Sequence, residues 1–167
     1  RNIGKASTEG IELEAKFRLD LAFDDAPKVE LRGNLSLFRS RVDGIPGPDN
    51  RLDQQPDATA NLGMDYQMTG LPLKVGGNFN WTPEFTTRLS DDQTVYQSNK
   101  LVADAYALWT ITPRYQLRIS VSNFAPRDYT TGGTLLSTNP QGQTLRETTQ
   151  TIAPSFVSMQ ARLEIKL

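Results

Sequence analysis

Residues Gly10–Phe23 read GIELEAKFRLDLAF, and in this stretch apolar side chains alternate strictly with charged ones. The apolar positions are Ile11, Leu13, Ala15, Phe17, Leu19 and Leu21, and the charged ones are Glu12, Glu14, Lys16, Arg18 and Asp20. A period of two predicts a β-strand, because successive side chains of a strand point to opposite faces. Eleven such residues extend about 37 Å at about 3.4 Å per residue. Tilted by about 40°, the strand would cross about 28 Å, close to the hydrocarbon thickness of a bilayer.

The same alternation recurs six more times along the chain. The further runs lie within Lys28–Leu37, Thr59–Gln67, Leu73–Thr82, Ala103–Ile111, Gln116–Ser122 and Val157–Leu167. Their apolar positions carry no charge, and no helical period competes over a comparable length. The sequence therefore predicts an all-β fold, an antiparallel up-and-down meander of about seven long strands.

The connections between these runs alternate between short and long. The short ones are Asp24–Pro27, Thr69–Pro72 and Thr112–Arg114, and the long ones are roughly Val42–Asp57, Pro83–Asn99 and Ala125–Pro154. The long connections are polar and rich in turn-forming residues, which predicts loops. In a meander, alternate connections lie at opposite ends of the sheet. Short turns at one end and long loops at the other are typical of outer-membrane barrels.

Composition limits the function classes. The net charge of -1 gives no long-range attraction to nucleic acid. The chain has no cysteine and no histidine, which excludes the usual zinc sites and histidine-dependent catalytic triads. The adjacent acids Asp24-Asp25 and Asp91-Asp92 fit solvated turns and loops. We therefore predict no catalytic residues, no metal site and no cofactor, and a protein that is not an enzyme.

Two other architectures would also explain the alternation. A soluble β-sandwich binding module buries its apolar faces in a protein core, whereas a passive porin exposes them to lipid without enclosing a plug. The strand length and the loop asymmetry favour a membrane barrel. Because single-chain bacterial barrels have even strand numbers, seven strands would be part of a larger barrel.

Several motifs resemble those of TonB-dependent outer-membrane receptors. Asn2-Ile3-Gly4-Lys5-Ala6 followed by Gly10–Ala15 resembles the family's N-x-G-x-A … G-[VI]-E-x-E strand. Ala60–Tyr66 is similar to a later barrel strand, and Val121–Phe124 followed by Arg127–Tyr129 resembles the penultimate strand. The terminal run is similar to the C-terminal strand, although it ends in Leu167 where the family usually has an aromatic residue.

The resemblance implies a specific place in a larger protein. Residues 1–167 would be the C-terminal segment of a 22-stranded transmembrane β-barrel, without the plug domain and the earlier strands. The parent would be a receptor and transporter of the bacterial outer membrane for ferric siderophores or a similar scarce nutrient. Its partners would be outer-membrane lipid, its own plug and earlier strands, TonB (through the parent's N-terminus) and a ferric siderophore-like ligand. The open edges of the excised sheet also predict self-association.

Two groups of residues are candidates for function. Residues predicted to face the lumen and its plug are Glu12, Glu14, Lys16, Arg18, Glu30, Arg32, Asp65, Arg118, Arg162 and Glu164. Residues of the long loops predicted to contact ligand are Asp49, Arg51, Arg88, Tyr96, Arg127 and Tyr129. Arginine and tyrosine together suit an anionic or aromatic ligand, through charge-assisted hydrogen bonds and stacking.

Overall fold

A computed structural model describes residues 5–166, and this part of the chain contains eleven strands. The strands are β1 (Ala6–Arg18), β2 (Val29–Val42), β3 (Ala58–Gln67), β4 (Leu73–Thr82), β5 (Phe85–Arg88), β6 (Gln93–Gln97), β7 (Lys100–Thr112), β8 (Tyr115–Ser122), β9 (Tyr129–Thr138), β10 (Thr144–Ala153) and β11 (Ser158–Ile165). Asn2, Ile3 and Gly4 of the first motif and the terminal Leu167 lie outside the described residues. No helix within residues 5–166 has the length and apolar character needed to cross a membrane.

The seven predicted strands form one antiparallel sheet in the order β1-β2-β3-β4-β7-β8-β11. This confirms the predicted meander. The prediction for the first strand was too long, because Leu19–Leu21 forms a 3-10 turn and not the end of β1. The backbone N–H groups of Ala22 and Phe23 both donate to the carbonyl of Leu19 at 3.1 Å, and this starts the reversal into β2. The charged ladder of β1 therefore ends at Arg18, without Asp20.

The register places apolar side chains on one face of this seven-stranded sheet and polar ones on the other. One complete row of cross-strand partners is Phe17, Leu31, Met64, Gly77, Ala105, Val121 and Met159. The adjacent row, on the opposite face, is Arg18, Glu30, Asp65, Gly76, Tyr106, Ser120 and Gln160. We call the two surfaces the apolar face and the polar face.

The apolar face is not covered by protein. Ile11 is 63% exposed, Leu62 59% and Met159 73%, whereas the only buried hydrophobic residues in the described part of the chain are Val42 and Ala103. A soluble β-sandwich would bury such a face against a second sheet. A continuous exposed apolar surface needs an apolar environment, and lipid supplies one.

The four remaining strands form a second sheet in the order β10-β9-β6-β5. They arise from hairpins inside two of the long connections, β5–β6 within Pro83–Asn99 and β9–β10 within Ala125–Pro154. The sequence predicted these two connections as long loops and did not predict the strands within them. Strand β6 pairs with β9, so the two hairpins join into one sheet at the long-loop end of the seven-stranded sheet. We call it the four-stranded sheet.

The seven-stranded sheet has two open edges, from which we predict self-association. Within residues 5–166, β1 and β11 each pair on one side only, which leaves a row of unpaired backbone groups at both edges. Such edges recruit other strands. We expect the isolated chain to self-associate in aqueous buffer, as measured by light scattering. A detergent-free sample that scatters as a monomer at every concentration would contradict this expectation.

Candidate functional site

The centre of the polar face is an ionic cluster around Asp65, whose side chain is only 8% exposed. Its Oδ2 accepts a hydrogen bond from Nη1 of Arg32 at 2.9 Å and lies 3.1 Å from Nζ of Lys74. Its Oδ1 accepts a hydrogen bond from the Tyr106 hydroxyl at 2.5 Å. The four residues come from β2, β3, β4 and β7. One carboxylate thus links four adjacent strands through three donors, and charge-assisted hydrogen bonds of this kind are among the stronger ones in proteins.

Two glycines on the polar face make room for this cluster. A Cβ on Gly63 would lie 2.8 Å from Nε of Arg32, and a Cβ on Gly76 would lie 2.6 Å from Cε1 of Tyr106 and would also overlap Oδ1 of Asp65. Gly76 is the cross-strand partner of both Asp65 and Tyr106. The missing side chain therefore allows these two residues to meet across β4.

We predict that Gly76→Ala destabilises the seven-stranded sheet by about 1–3 kcal/mol, the usual cost of overfilling a well-packed site. The matched control is Gly33→Ala in β2, where the new Cβ would meet its nearest atoms at 3.4 and 3.6 Å, an ordinary contact. Chemical unfolding in lipid measures both. Equal stability of the two variants would show that the space at Gly76 is not needed.

Ion pairs and hydrogen bonds extend the cluster along the polar face. Glu30 lies 3.3 Å from Nζ of Lys16 and 3.7 Å from Nη1 of Arg32. Asp104 accepts hydrogen bonds from the Asn78 amide at 3.2 Å and from the backbone N–H of Asn123 at 2.8 Å. On β1, β2 and β3, most charged side chains of the polar face therefore form ion pairs with a neighbour of opposite charge.

All ten residues predicted to face a lumen lie on the polar face by strand register. Sequence reasoning did not single out Lys74, Tyr106 and Asp104, which complete the ionic cluster and its surroundings. Lys74 and Asp104 stand at polar positions of their alternating runs, so the period itself could have identified them. The period also assigns Tyr106 to the polar side of its run, but it could not show that the Tyr106 hydroxyl binds Asp65.

Arg18 and Asp20 form a bidentate pair at the short-turn end. Nη2 of Arg18 donates to Oδ2 of Asp20 at 2.6 Å, and Nε donates to Oδ1 at 3.1 Å. The hydrogen bond from the Arg18 guanidinium lowers the pKa of Asp20 below its ordinary value. Asp20 lies beyond the end of β1, so this ion pair links the last residue of the strand to the 3-10 turn that follows it.

The long connection 43–57 is fastened to the four-stranded sheet through Arg88. The backbone N–H of Arg88 donates to the carbonyl of Asp49 at 2.7 Å, and its guanidinium donates to the carbonyl of Gly47 at 3.3 Å. Asn50 donates to the carbonyl of Ile45 at 2.9 Å and so holds this connection in a compact turn. The three long connections therefore make one body at this end of the molecule.

The six residues predicted to bind ligand divide into two groups. Asp49, Arg51 and Arg127 lie in connections, but Arg88, Tyr96 and Tyr129 lie on β5, β6 and β9, so their placement in loops was wrong. Arg51 is held by Asp57 at 2.5 Å and by Asp49 at 3.6 Å. Nζ of Lys100 lies 4.8 Å from the centre of the Tyr129 ring. Arg51 and Arg88 thus already bind groups of this chain, and contact with a ligand stays a prediction for all six residues.

Two clefts open at the long-loop end. One has a volume of about 450 Å³ and lies between Asp53 and Gln54 of the connection and one surface of the four-stranded sheet, including Phe85 and Thr131. The other, of about 410 Å³, is lined by Asp49, Arg51 and Asp57 among others. Both fall within the size range of small-molecule sites. Within residues 5–166, no group of three or more acidic side chains is placed to hold a metal ion.

A family model described as TonB dependent receptor-like, beta-barrel matches residues 1–124. The chain belongs to this family. No curated protein and no solved structure is significantly similar to it. The family match covers the first six strands of the seven-stranded sheet. Strand β11 lies beyond it, but its full-length pairing with β8 makes it part of the same wall.

Membership of the TonB-dependent receptor family indicates which face of the seven-stranded sheet meets lipid and which end of it lies outside the cell. The protein is a receptor and transporter of the bacterial outer membrane, and its family acts in transport rather than in enzymatic catalysis. In outer-membrane barrels the apolar face meets lipid and the polar face lines the interior. Short turns lie in the periplasm and long loops outside the cell. The four-stranded sheet is then extracellular.

Proposed function

We propose that this chain is the C-terminal part of the barrel of a TonB-dependent receptor that imports a ferric siderophore or a similar scarce nutrient. The chain supplies a section of barrel wall and an extracellular body that captures the ligand. In this role the wall contacts a plug, and TonB acts on a part of the receptor outside these residues. Two features of the structure support this proposal. The seven-stranded sheet has one exposed apolar face, and an ordered body lies at its long-loop end.

The extracellular body favours ligand capture over passive diffusion. Its three connections are tied together by the contacts of Arg88 and by the hydrogen bonds between Ser98 and Thr130, where the Ser98 backbone N–H donates to the Thr130 carbonyl at 2.8 Å. A pre-ordered surface loses less conformational entropy on binding than a mobile loop does. The cleft lined by Phe85 and Tyr96 is a concave surface in which a ligand could bind.

Uptake of radiolabelled iron tests this proposal. Cells that express the intact receptor receive iron as a catecholate, a hydroxamate or a citrate chelate. We expect uptake of one chelate, dependent on TonB, and weaker binding after Tyr96→Ala at unchanged surface abundance. Thr138→Ala, at the far end of β9, is the control variant. Uptake that persists without TonB would indicate a passive porin, and failure of all three chelates would exclude iron import.

A further inference from the structure

The polar face carries two arginines that face each other without a counter-ion. Arg118 of β8 and Arg162 of β11 are direct cross-strand partners. Directly opposed side chains have Cβ atoms about 5 Å apart, and like charges at such positions are destabilising. Within residues 5–166, neither guanidinium forms an ion pair or a side-chain hydrogen bond, although Glu164 lies on the same face of β11. This is the opposite of the compensated cluster around Asp65.

The structure also holds one of these guanidinium groups in position. Cζ of Arg118 lies 4.3 Å from the centre of the Tyr106 ring, a cation–π contact. The Tyr106 ring is itself fixed by its hydroxyl, which donates to Asp65. A guanidinium that lies over a ring keeps the N–H groups along its edge free for an acceptor. The Arg118 guanidinium is therefore held in one orientation, and its N–H groups can still donate hydrogen bonds to a ligand.

The two arginines border a polar cleft. Its volume is about 380 Å³, and its lining includes Arg118, Arg162, Ser120, Ser122 and Gln160. Two acidic residues, Asp104 and Glu164, also line it, and the Asp104 carboxylate already accepts hydrogen bonds from Asn78 and Asn123. Hydroxyl and amide groups of this kind can complete the hydrogen bonding of an oxygen-rich anion. Arg118 is the fourth of the eight residues of β8, so the two arginines lie near the middle of the wall, and Ser122 at the end of β8 extends the cleft towards the long-loop end.

We propose that Arg118 and Arg162 form a binding site for a carboxylate group on the interior wall of the barrel. Paired guanidinium forks match the two oxygens of a carboxylate, and binding removes the repulsion between the arginines. The carboxylate is supplied either by an acidic side chain of another segment of the receptor or by a free organic acid that enters the barrel. This proposal rests on the family's barrel architecture and not on the identity of the imported nutrient.

Protection from phenylglyoxal, which modifies accessible arginines, tests the site in the intact receptor in outer membranes. Mass spectrometry follows the modification of Arg118 and Arg162, with Arg146 of β10 as the exposed control. If the site is open to a free acid, malonate at about ten times its dissociation constant should slow the modification of both arginines about tenfold. Arg146 should react at the same rate with malonate as with chloride of equal ionic strength.

The same experiment separates the two sources of carboxylate. If an acidic side chain of the receptor fills the site, both arginines are protected relative to Arg146 without added malonate, and denaturation removes this protection. If a free acid fills it, protection requires malonate. Reaction of Arg118 and Arg162 as fast as Arg146 under both conditions would overturn the proposal.

A variant gives a second readout that a merely structural role would not change. In low salt, Arg162→Gln should not lower the thermal midpoint, because it removes an unpaired charge. Malonate should raise the midpoint of the wild-type receptor but not that of the variant. Undiminished malonate protection of Arg118 in Arg162→Gln would show that the two arginines do not act together. The wild-type protection data decide the question if the variant fails to insert.

Discussion

Replacing Leu62 with arginine is expected to destabilise the receptor barrel in lipid by about 2–4 kcal/mol, the cost of a cation on the lipid face at mid-depth. Leu62 lies at the centre of β3 on the apolar face and is 59% exposed. Its cross-strand partners, Gly33 and Phe79, cannot pair with a charge. Chemical unfolding of the receptor in phospholipid vesicles measures the change in the free energy of unfolding.

The control places the same charge at nearly the same depth on the other face. Asn80 of β4 is one residue from Phe79, the partner of Leu62, and its side chain belongs to the polar face. Asn80→Arg should change the free energy of unfolding by less than about 1 kcal/mol, because a wet interior solvates the new cation. If both variants are equally stable, the apolar face does not meet lipid and the assignment of the two faces fails.

The strict period of two explains why the seven-stranded sheet could be predicted from the sequence. A slip of one residue would move every apolar side chain of a strand to the other face, so the pattern determines both the strand and its register. The row from Phe17 to Met159 contains only apolar residues or glycine across seven strands. The error at Leu19–Leu21 arose because the alternation continues into the turn, where the backbone must already reverse direction.

The four-stranded sheet could not be predicted in the same way, because its strands have no apolar face. β9 contains TTGGT and β10 contains TTQT, in which threonine and glycine conceal any alternation. Their pairing depends on contacts distant in sequence, such as Tyr96 opposite Gly132. The available signal was β propensity, since threonine, valine and tyrosine are enriched in strands, and it is weaker than a period.

For the candidate residues too, the sequence predicted the face of the sheet but not the side-chain contacts. Alternation assigned the charged wall residues to one face, because a face is a property of the period. It could not show which of them are paired, since the contacts of Asp65 come from strands separated by up to 41 residues. The extracellular arginines were chosen by residue type alone, and Arg51 and Arg88 bind groups of their own chain. Residue type predicts a capacity to bind, and only tertiary structure shows whether that capacity is already used.

Asp65→Asn should destabilise the barrel by about 3 kcal/mol, the low end of the range for removing one partner of a buried ion pair. The change removes the negative charge closest to Arg32 and Lys74, so Lys74 loses its ion pair and Arg32 keeps only the longer one with Glu30. The low end applies because the side chains of Arg32 and Lys74 are 46% and 39% exposed and keep part of their hydration. Chemical unfolding in lipid again measures the loss.

Two further variants determine whether the loss comes from the uncompensated charge. Glu30→Gln removes an acid of the same face whose ion pairs with Lys16 and Arg32 are more exposed, and it should cost less than about 1 kcal/mol. Adding Lys74→Met to Asp65→Asn removes the cation whose ion pair was lost, while Arg32 keeps its ion pair with Glu30, and should restore part of the stability. If Glu30→Gln costs as much as Asp65→Asn, or if the double variant is no more stable than Asp65→Asn, Asp65 is not the centre of the cluster. In that case the wall would be stabilised mainly by its backbone hydrogen bonds and its contact with lipid, with its charges only solvated.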